Sequence, residues 1–467
     1  MSNSKTADEL VGTPVEIKPS ALKTTTDKIT ADKIPATKAT TTETVKSPPE
    51  AKKATPKDVP IVPLNGNGNS GGGGVVTKQT RPDGKAIPDM NAPTKTISGV
   101  LEIRDGHGVL RVSYSGGRKD AYISNSQIKR FGLREGDVIE GPAREPKDNE
   151  RYWGLLKISG VNSQAIEDFM KQDRKSFHQL TPVYPDEQIV LESGEEPLSL
   201  RIIDLIAPIG KGQRSLIVSP PKAGKTTLLK DIATGVAKNY PDIHVMAVLV
   251  GERPEEVTDI RRHIATITDN KGEVASSNFD ENPESQCAVA ELALEKAKRM
   301  VESGKDVIIL LDSITRLARA YNLSIPTSGR TLSGGFDPMA LFPPKKFFGA
   351  ARNFEIPGSL TIVGTALVDT GSRMDDLVYE EFKGTGNQEI HLNRRLAERR
   401  IYPAIDVQRS GTRRDDLLFD NITYQSIITL HRMLDMLNDE EERTSTLITQ
   451  LKKAKSNKAF LNSLKQG

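Results

Sequence analysis

Cysteine, histidine and long apolar runs are all scarce in this sequence. The 467 residues include a single cysteine, Cys287, and six histidines. One cysteine excludes a disulfide within the chain and a multi-cysteine metal cluster, which suits a reducing cytoplasm. The histidines form no H-x-x-H or H-x₃-H pair of the kind that binds zinc. No apolar run approaches the ~20 residues that cross a bilayer, so we expect a cytoplasmic protein with no membrane partner.

Aromatic residues are missing from the first part of the chain. Residues 1–95 contain no Phe, Tyr or Trp and carry runs such as "KTTTDKITADKIPATKATTTETVK" and "NGNGNSGGGG". Such a segment buries too little apolar surface to offset its conformational entropy, so we predict a disordered tail. The formal net charge of the chain is +3, and the positive excess lies in this tail. The tail is either a passive, solubilising segment or a basic arm for RNA or condensates.

Residues 96–160 have the pattern of a small β-domain. Five short β-rich runs, "SGVLEIR", "HGVLRVSY", "DAYIS", "DVIEGPAR" and "YWGLLKIS", are separated by Gly, Asp and Asn. Their number and spacing predict a small five-stranded barrel. Between the third and fourth runs, "SNSQIKRFGL" predicts a short helix that begins after an N-cap serine.

The rest of the chain has the pattern of an α/β protein. Residues 161–199 predict a connector with one helical piece, "SQAIEDFMKQD". From residue 200 to residue 467, the apolar runs "SLIVSP", "HVMAVLVGE", "DVIILLD" and "SLTIVGTAL" alternate with helical stretches. That alternation predicts a mostly parallel sheet flanked by helices.

The stretch "SPPKAGKTT", Ser219–Thr227, predicts a phosphate-binding loop between a buried strand and a helix. Gly224 lets the backbone approach phosphates, Lys225 supplies a positive charge for the β- and γ-phosphates, and Thr226 places a hydroxyl on Mg²⁺. Two prolines open the loop and lack an N–H, so the later amides must form the cradle. The candidate ATP-binding residues of the loop are Pro221, Lys222, Ala223, Gly224, Lys225, Thr226 and Thr227.

Carboxylates end two of the other apolar runs. "DVIILLDS" ends in Asp312, the residue expected to hold Mg²⁺ through water. "VMAVLVGERPEEV" places Glu252 at the end of its strand, where it would orient and activate the attacking water. Thr365 ends "LTIVGT" and is either a γ-phosphate sensor or a core residue. Together these residues predict nucleoside triphosphate hydrolysis with ATP and Mg²⁺ as cofactors.

Arginines are abundant near the end of the predicted core, in "RRLAERRIYPAIDVQRSGTRRDD". Phosphoryl transfer usually needs an arginine on the developing charge. Arg409 or Arg413 could supply it across a subunit boundary, because "RSGTR" is a glycine-containing turn. The residues themselves do not choose between the two.

Six segments carry a resemblance to a known family. "PPKAGKT", "GERPEEVTDIRR", "ILLDSITRLARAYN", "KKFFGAARN", "YEEFKGTGN" and "RRIYPAIDVQRSGTRR" are similar to the bacterial Rho transcription termination factors. The resemblance runs from about residue 97 to about residue 455. It implies a RecA-like ATPase core behind an OB-fold, assembled as a homohexamer. It also implies movement along single-stranded RNA at the expense of ATP, with the elongation complex of RNA polymerase as a partner.

The resemblance also implies roles for individual residues of the core. Arg413 matches the arginine finger that reaches a neighbouring subunit's ATP, and Arg400 matches a second phosphate-contacting arginine. Tyr402 matches an aromatic ring that stacks on adenine. Two loops, "PTSGRTLSGG" and "TGSRMDD", match RNA-gripping loops of the central channel. Their matching residues are Arg330, Thr331, Gly334, Gly335 and Arg373.

In the barrel, the resemblance implies a primary RNA site that stacks bases on aromatic rings, as OB-folds do. The matching residues are His107, Arg111, Tyr122, Glu150, Arg151 and Tyr152. Two positions depart from the family's usual phenylalanines, because they are His107 and Val109 in this chain. Imidazole has a smaller π-face and valine has none, so we expect RNA binding with an altered pyrimidine preference.

Two alternatives to a termination factor remain at this point. A rotary or export-type ATPase subunit would share the core and the "GER" tripeptide, but it would not need the barrel or the arginine-bearing loops. A non-catalytic RNA-binding regulator would keep the fold without Lys225, Glu252 and Asp312.

Overall fold

The structure, a computed structural model, describes residues 94–104, 106–437 and 439–464. The predicted tail therefore lies outside the described residues, except for its last two positions. Thr94 and Lys95 belong to the first strand.

The first domain is the predicted closed barrel. Its five strands are β1 (Thr94–Arg104), β2 (His107–Arg111), β3 (Ala121–Ile123), β4 (Val138–Arg144) and β5 (Trp153–Leu155). The sheet runs β1-β2-β3-β5-β4 and closes because the long strand β1 also pairs with β4. All the pairs among these strands are antiparallel except β3 with β5.

Alternation along the strands separates an interior from an outer face. Leu101, Leu110 and Ile123 are fully buried inside the barrel, while Tyr122 points outward. The predicted short helix is α1 (Asn125–Arg130). Ser124 caps it and exchanges hydrogen bonds with Gln127 in a capping box, which satisfies two N–H groups that the first turn leaves unpaired.

The segment after the barrel contains little regular structure. A hairpin of β6 (Gly160–Val161) and β7 (Gln164–Ala165) extends the barrel sheet, and α2 (Ile166–Phe169) follows. The predicted helical piece is thus a single turn, in which Ile166 and Phe169 are buried against the barrel interior. The chain then runs through β8 (Pro182–Val183) to α3 (Leu198–Ile206), whose residues are all buried.

A second sheet forms the centre of the core domain. Its strands are β9 (Arg214–Ser219), β10 (His244–Glu252), β11 (Glu273–Asn278), β12 (Val307–Asp312), β14 (Leu360–Leu367), β15 (Gln388–His391) and β16 (Gly411–Thr412); β13 (Asn353–Phe354) pairs with β8 instead. The order is β11-β10-β12-β14-β9-β15-β16, and only the β15–β16 pair is antiparallel. The mostly parallel sheet is confirmed, and it brings the carboxyl ends of β9, β10, β12 and β14 to one edge.

Helices cover both faces of this sheet. They are α4 (Lys225–Asn239), α5 (Pro254–Ile267), α6 (Pro283–Glu302), α7 (Ile314–Ser324), α8 (Phe342–Phe348), α9 (Arg373–Lys383), α10 (Arg394–Glu398), α11 (Asn421–Asp435), α12 (Glu440–Lys453) and α13 (Asn457–Leu464). Two large apolar clusters result, one on each face. No helix within the described ranges is both long and apolar enough to cross a membrane.

The barrel packs directly against α6 and the edge strand β11. Tyr114, in the loop after β2, donates a hydrogen bond of 2.6 Å to Glu273, which also binds Lys296. A Cβ on Gly136 would lie 2.3 Å from the backbone of Glu295, so only glycine permits this approach of barrel and helix. The orientation of the barrel on the core is therefore fixed by close packing and buried polar contacts.

Candidate nucleotide site and RNA-binding surfaces

The predicted phosphate loop joins the carboxyl end of β9 to the first turn of α4. Gly224 precedes the helix with φ +97°, and Lys222 has φ +65°. A Cβ on Gly224 would meet no atom within 4 Å, so the glycine is required for its backbone conformation and the space beside it is open. The first amides of α4 have no partner within the helix, as an anion site at a helix N-terminus requires.

Three predicted catalytic side chains meet at the same edge of the sheet. The Lys225 Nζ lies 2.5 Å from the Asp312 Oδ1 and 3.6 Å from the Glu252 Oε1. Both carboxylates are at most 1% exposed. Burial, and next the negative charge of Asp312, raise the pKa of Glu252, although Lys225 and Arg316 oppose them. Asp312 Oδ2 and Glu252 Oε1 are buried and accept no hydrogen bond from the described residues.

Thr365 contacts this cluster, and so does an arginine that the sequence reasoning missed. The Thr365 hydroxyl donates a hydrogen bond of 2.9 Å to Asp312 Oδ1. Arg316, on α7, places its Nε 3.1 Å from the Glu252 Oε1 and donates to the carbonyl of Gly251 at 2.5 Å. The signal was present in "DSITR", because α7 begins directly after the strand that carries Asp312 and one helical turn returns Arg316 to the same edge.

A cavity of about 430 Å³ lies beside the phosphate loop and is large enough for a nucleobase. Gly224 and Thr227 line one side, and Tyr402, which is 52% exposed, lines another. Two polar groups of this cavity were not predicted. Asp231 accepts a hydrogen bond of 2.5 Å from Ser199, and Lys452 reaches the cavity from the C-terminal helix α12.

The candidate arginines are exposed and follow two short elements, β16 and α10. Arg413 is exposed and follows β16, the edge strand two positions from β9. Arg400 is exposed just after α10. Within the described part of the chain, no ion pair joins either arginine to Glu252 or Asp312.

The two predicted RNA-gripping loops lie next to each other. Gly334 has φ +75°, and a Cβ there would lie 2.7 Å from the Met374 amide nitrogen. Arg373 begins α9 directly beside this contact, while Arg330 and Thr331 are exposed earlier in the first loop. Gly335 has φ +79°, and its carbonyl accepts a long hydrogen bond of 3.5 Å from the Asn322 side-chain amide. Backbone packing thus brings Gly334 of the first loop against the start of α9, where Arg373 lies.

On the barrel, the predicted primary-site residues occupy the outer face. The His107 and Tyr122 ring centroids are 6.0 Å apart. Arg111 is held by two carboxylates, with Nε 2.5 Å from Glu102 and Nη1 2.8 Å from Asp120, neither of which was predicted. Val109, between these side chains, is only 2% exposed and offers no surface for a base.

The remaining primary-site residues lie in the segment before β5. Arg144 binds Glu150 through two hydrogen bonds of 2.6 and 2.7 Å and lowers the pKa of Glu150 to about 2. The Arg151 guanidinium lies 5.3 Å from the centroid of the Tyr152 ring. The backbone N–H of Trp153 donates to the carbonyl of Asp120, which holds this segment beside Arg111 and its carboxylate partners.

Comparisons with known proteins divide the chain in the same way. Residues 97–167 match the Rho termination factor RNA-binding domain, and residues 199–412 match the nucleotide-binding domain of the ATP synthase alpha/beta family. Solved structures with a similar core include a type III secretion system ATPase (TM-score 0.52, 22% identity, covering 61% of this chain and 86% of that one). Another is the ATP synthase subunit NeqB of Nanoarcheaum equitans (TM-score 0.51, 17% identity, 61% and 76% covered). At this identity these two show the fold alone.

Curated relatives are much more similar. The chain is 55% identical to the transcription termination factor Rho of Bacillus subtilis over 387 residues, which cover 82% of this chain and 88% of the relative. It is 53% identical to the Rho factor of Neisseria gonorrhoeae, with 78% and 87% covered. The phosphate loop, the carboxylates at the sheet edge and the barrel ahead of them therefore sit in a chain that belongs to the Rho family of transcription termination factors.

Proposed function

We propose that this chain is an RNA-dependent ATPase that moves along single-stranded RNA and terminates transcription. The observation that carries the proposal is the meeting of Lys225, Glu252 and Asp312 in a chain whose barrel matches an RNA-binding domain. The names of its relatives support the same role. In this proposal residues 96–160 form the RNA-binding domain, residues 161–199 connect it, and residues 200–467 form the motor.

Hydrolysis uses the chain's own side chains as follows. The open amides at the start of α4 and the Lys225 ammonium bind the phosphates of ATP, where charge develops during phosphoryl transfer. Glu252 orients a water molecule and accepts its proton. Burial raises the pKa of Glu252 towards neutral pH. Its carboxylate is therefore a better proton acceptor than that of an ordinary surface glutamate.

The donor set at this edge fits Mg²⁺. The Asp312 Oδ2 is buried and has no hydrogen-bond partner among the described residues, and the Thr226 hydroxyl is at the first turn of α4. Mg²⁺ prefers oxygen ligands and is usually held by one or two protein groups together with substrate phosphates and water. No group of three or more His, Cys, Asp or Glu in the described residues would hold a metal by itself, which suits an ion that arrives with ATP. The ion would neutralise charge on the phosphates, with Thr226 and Asp312 holding it.

The nucleobase binds in the cavity beside Tyr402. The exposed ring gives a stacking surface, and the cavity continues from Gly224 and Thr227 of the phosphate loop. Stacking on an aromatic ring tolerates different bases, while Asp231 and Lys452 offer polar contacts to the base edge.

A homohexameric ring completes the site. Arg413 and Arg400 are exposed and, within the described residues, form no ion pair with the cluster of their own chain, which suits a role on the ATP of a neighbouring subunit. An arginine supplied in trans makes hydrolysis depend on correct assembly. Such a ring places the Arg330 and Arg373 loops of successive subunits around a common channel for RNA.

The partners of this machine are nascent single-stranded RNA and the elongation complex of RNA polymerase, in the bacterial cytoplasm. The barrel captures RNA first, and the channel loops then pull it with isolated arginines that contact phosphates without reading sequence. A rotary or export-type ATPase would share the core fold but would not carry the RNA-binding barrel.

The proposal is tested by measuring ATP hydrolysis with and without a polycytidine RNA. We expect strong stimulation by RNA, and loss of the stimulated rate when Arg413 is changed to Ala. An ATPase rate that is the same with and without RNA would contradict the proposal and favour the rotary class.

A further inference from the structure

One buried carboxylate closes the base of the first RNA-gripping loop, residues 326–335. Asp337 follows this loop and is only 7% exposed, although the loop itself is exposed. The Asp337 Oδ2 accepts a hydrogen bond of 2.6 Å from the backbone N–H of Ser328, and its Oδ1 accepts one of 2.8 Å from the Ser328 hydroxyl. The side chain therefore joins the segment that leaves the loop to the segment that enters it.

The same carboxylate also caps the turn that comes next. Its Oδ1 accepts a hydrogen bond of 2.9 Å from the backbone N–H of Met339, at the start of the 3₁₀ turn Pro338–Leu341. The N–H groups of Ser328 and Met339 hold the pKa of Asp337 below its ordinary value. Both ends of the loop thus depend on the ionised form of this one side chain.

A second pair of hydrogen bonds fixes the end of the loop to the core. The Asn322 Oδ1, on α7, accepts a hydrogen bond of 2.8 Å from the backbone N–H of Asp337. Its side-chain amide donates to the carbonyl of Gly335 at 3.5 Å. Phe336, between these two residues, is fully buried in one of the large apolar clusters. Asp337 therefore stands at a fixed point, to which it binds the start of the loop.

This connection continues to the arginine of the loop. The Ser328 hydroxyl, which donates to Asp337, also accepts a long hydrogen bond of 3.4 Å from the backbone N–H of Arg330. Arg330 itself is exposed. Ordering a flexible segment costs conformational entropy, and a segment that is already ordered binds its ligand without that cost.

We propose that Asp337 is a positioning residue for RNA binding, which holds residues 326–335 closed and thereby orients Arg330 towards the RNA. Asp337 does not itself contact RNA in this proposal, because its two oxygens are occupied by the loop and the following turn. The proposal deepens the RNA-binding function inferred above and rests on it.

Two substitutions separate the loop from the turn. Asp337→Asn keeps the shape of the side chain but replaces one acceptor oxygen with an NH₂ group, so the N–H of Ser328 or that of Met339 then faces another donor. We expect the RNA concentration that half-maximally stimulates ATP hydrolysis to rise about tenfold, because hydrogen bonds to a charged group are lost. Ser328→Ala leaves the bond to Met339 intact and should raise that concentration about threefold.

The experiment measures the ATPase rate of the full chain against polycytidine RNA concentration at saturating ATP, and against ATP concentration at saturating RNA. We expect both variants to keep the KM for ATP of the parent. Asp420→Asn is the matched control and should behave as the parent. The Asp420 carboxylate caps α11 through the N–H groups of Ile422 and Thr423, outside the loop.

A double variant tests whether Asp337 acts through Arg330. Arg330→Ala alone should raise the RNA concentration needed for stimulation, and adding Asp337→Asn to it should raise that concentration no further. This readout separates a positioning role from general destabilisation, whose effect would multiply with that of Arg330→Ala.

Three results would overturn the inference. They are an unchanged RNA requirement in Asp337→Asn, a KM for ATP that rises together with the RNA requirement, and effects of Asp337→Asn and Arg330→Ala that multiply. In each case the parent would still be stimulated by RNA, so the proposed function would stand. A parent chain that RNA does not stimulate would overturn the proposed function, and this inference with it.

Discussion

Arg316 favours the ionised form of Glu252, and replacing it with Gln should shift the pH dependence of ATP hydrolysis. The guanidinium lies 3.1 Å from the Glu252 Oε1, and its positive charge lowers the pKa of a carboxyl that burial and Asp312 raise. Its removal leaves Lys225 as the named positive charge that still opposes the influences raising this pKa. The proton acceptor must be ionised, so the rate falls as the pH drops through the pKa of Glu252, and a higher pKa moves that loss to higher pH.

The size of the shift follows from the geometry. Two unit charges about 4 Å apart interact by ~4 kcal/mol at an effective dielectric constant of 20, which would correspond to roughly three pH units. The Arg316 side chain is 35% exposed, so solvent screens it and the contribution is much smaller. We therefore expect the acid limb of kcat to move upward by about one pH unit.

The assay is the RNA-stimulated ATPase rate between pH 5.5 and 9 at saturating ATP. Arg316→Lys, which keeps the charge, should restore most of the parent profile. A second control is Arg261→Gln, because Arg261 binds Ser276 rather than the catalytic carboxylates. An Arg316→Gln enzyme with lower activity but an unmoved acid limb would refute the reasoning.

Two further substitutions test the base cavity and the loop contact. Tyr402→Ala should raise the KM for ATP about fivefold to a hundredfold, because one stacked base contributes about 1–3 kcal/mol. Tyr402→Phe keeps the ring, so its KM should stay near that of the parent. Equal KM values for the two variants would exclude stacking. Gly334→Ala should reduce RNA stimulation of the ATPase about tenfold or more, since its Cβ would lie 2.7 Å from the Met374 nitrogen. Gly329 also has a positive φ, but a Cβ there would meet no atom within 4 Å, so Gly329→Ala tests backbone strain alone. A loss of RNA stimulation as large as that of Gly334→Ala would contradict the packing argument.

The residues that could be predicted from sequence are those fixed by local pattern. An apolar run ending in Asp312 or Glu252 specifies a buried strand and places its last carboxylate at the carboxyl edge of a parallel sheet. The phosphate loop is equally local, because the glycine and the helix start define its backbone. These elements, the barrel and the parallel sheet, are confirmed in the structure.

The contacts that could not be predicted join side chains that lie far apart in the sequence. Arg111 was predicted to belong to the primary RNA site, but nothing in its own segment indicates that Glu102 and Asp120 hold it. Lys452 lies far along the chain from the phosphate loop and reaches the base cavity only because the C-terminal helices pack against α3. Such contacts depend on tertiary packing, for which a single sequence carries no periodic signal.

The short length of the helix after the barrel could not be predicted from the sequence pattern either. "SQAIEDFMKQD" has the composition of a helix, but only Ile166 and Phe169 find an apolar surface, and the helix ends there. Packing against the barrel, rather than helix propensity, decides where this element stops.

The central claim is that ATP hydrolysis at the Lys225 cluster drives transcript release. The most direct test is a reconstituted transcription reaction with a bacterial RNA polymerase, scored for shortened, released RNA. We predict release by the parent chain with ATP, and none by Glu252→Gln, while Glu255→Gln, an exposed neighbour on α5, should behave as the parent. Full-length transcript in the presence of the parent chain and active ATP turnover would contradict the account.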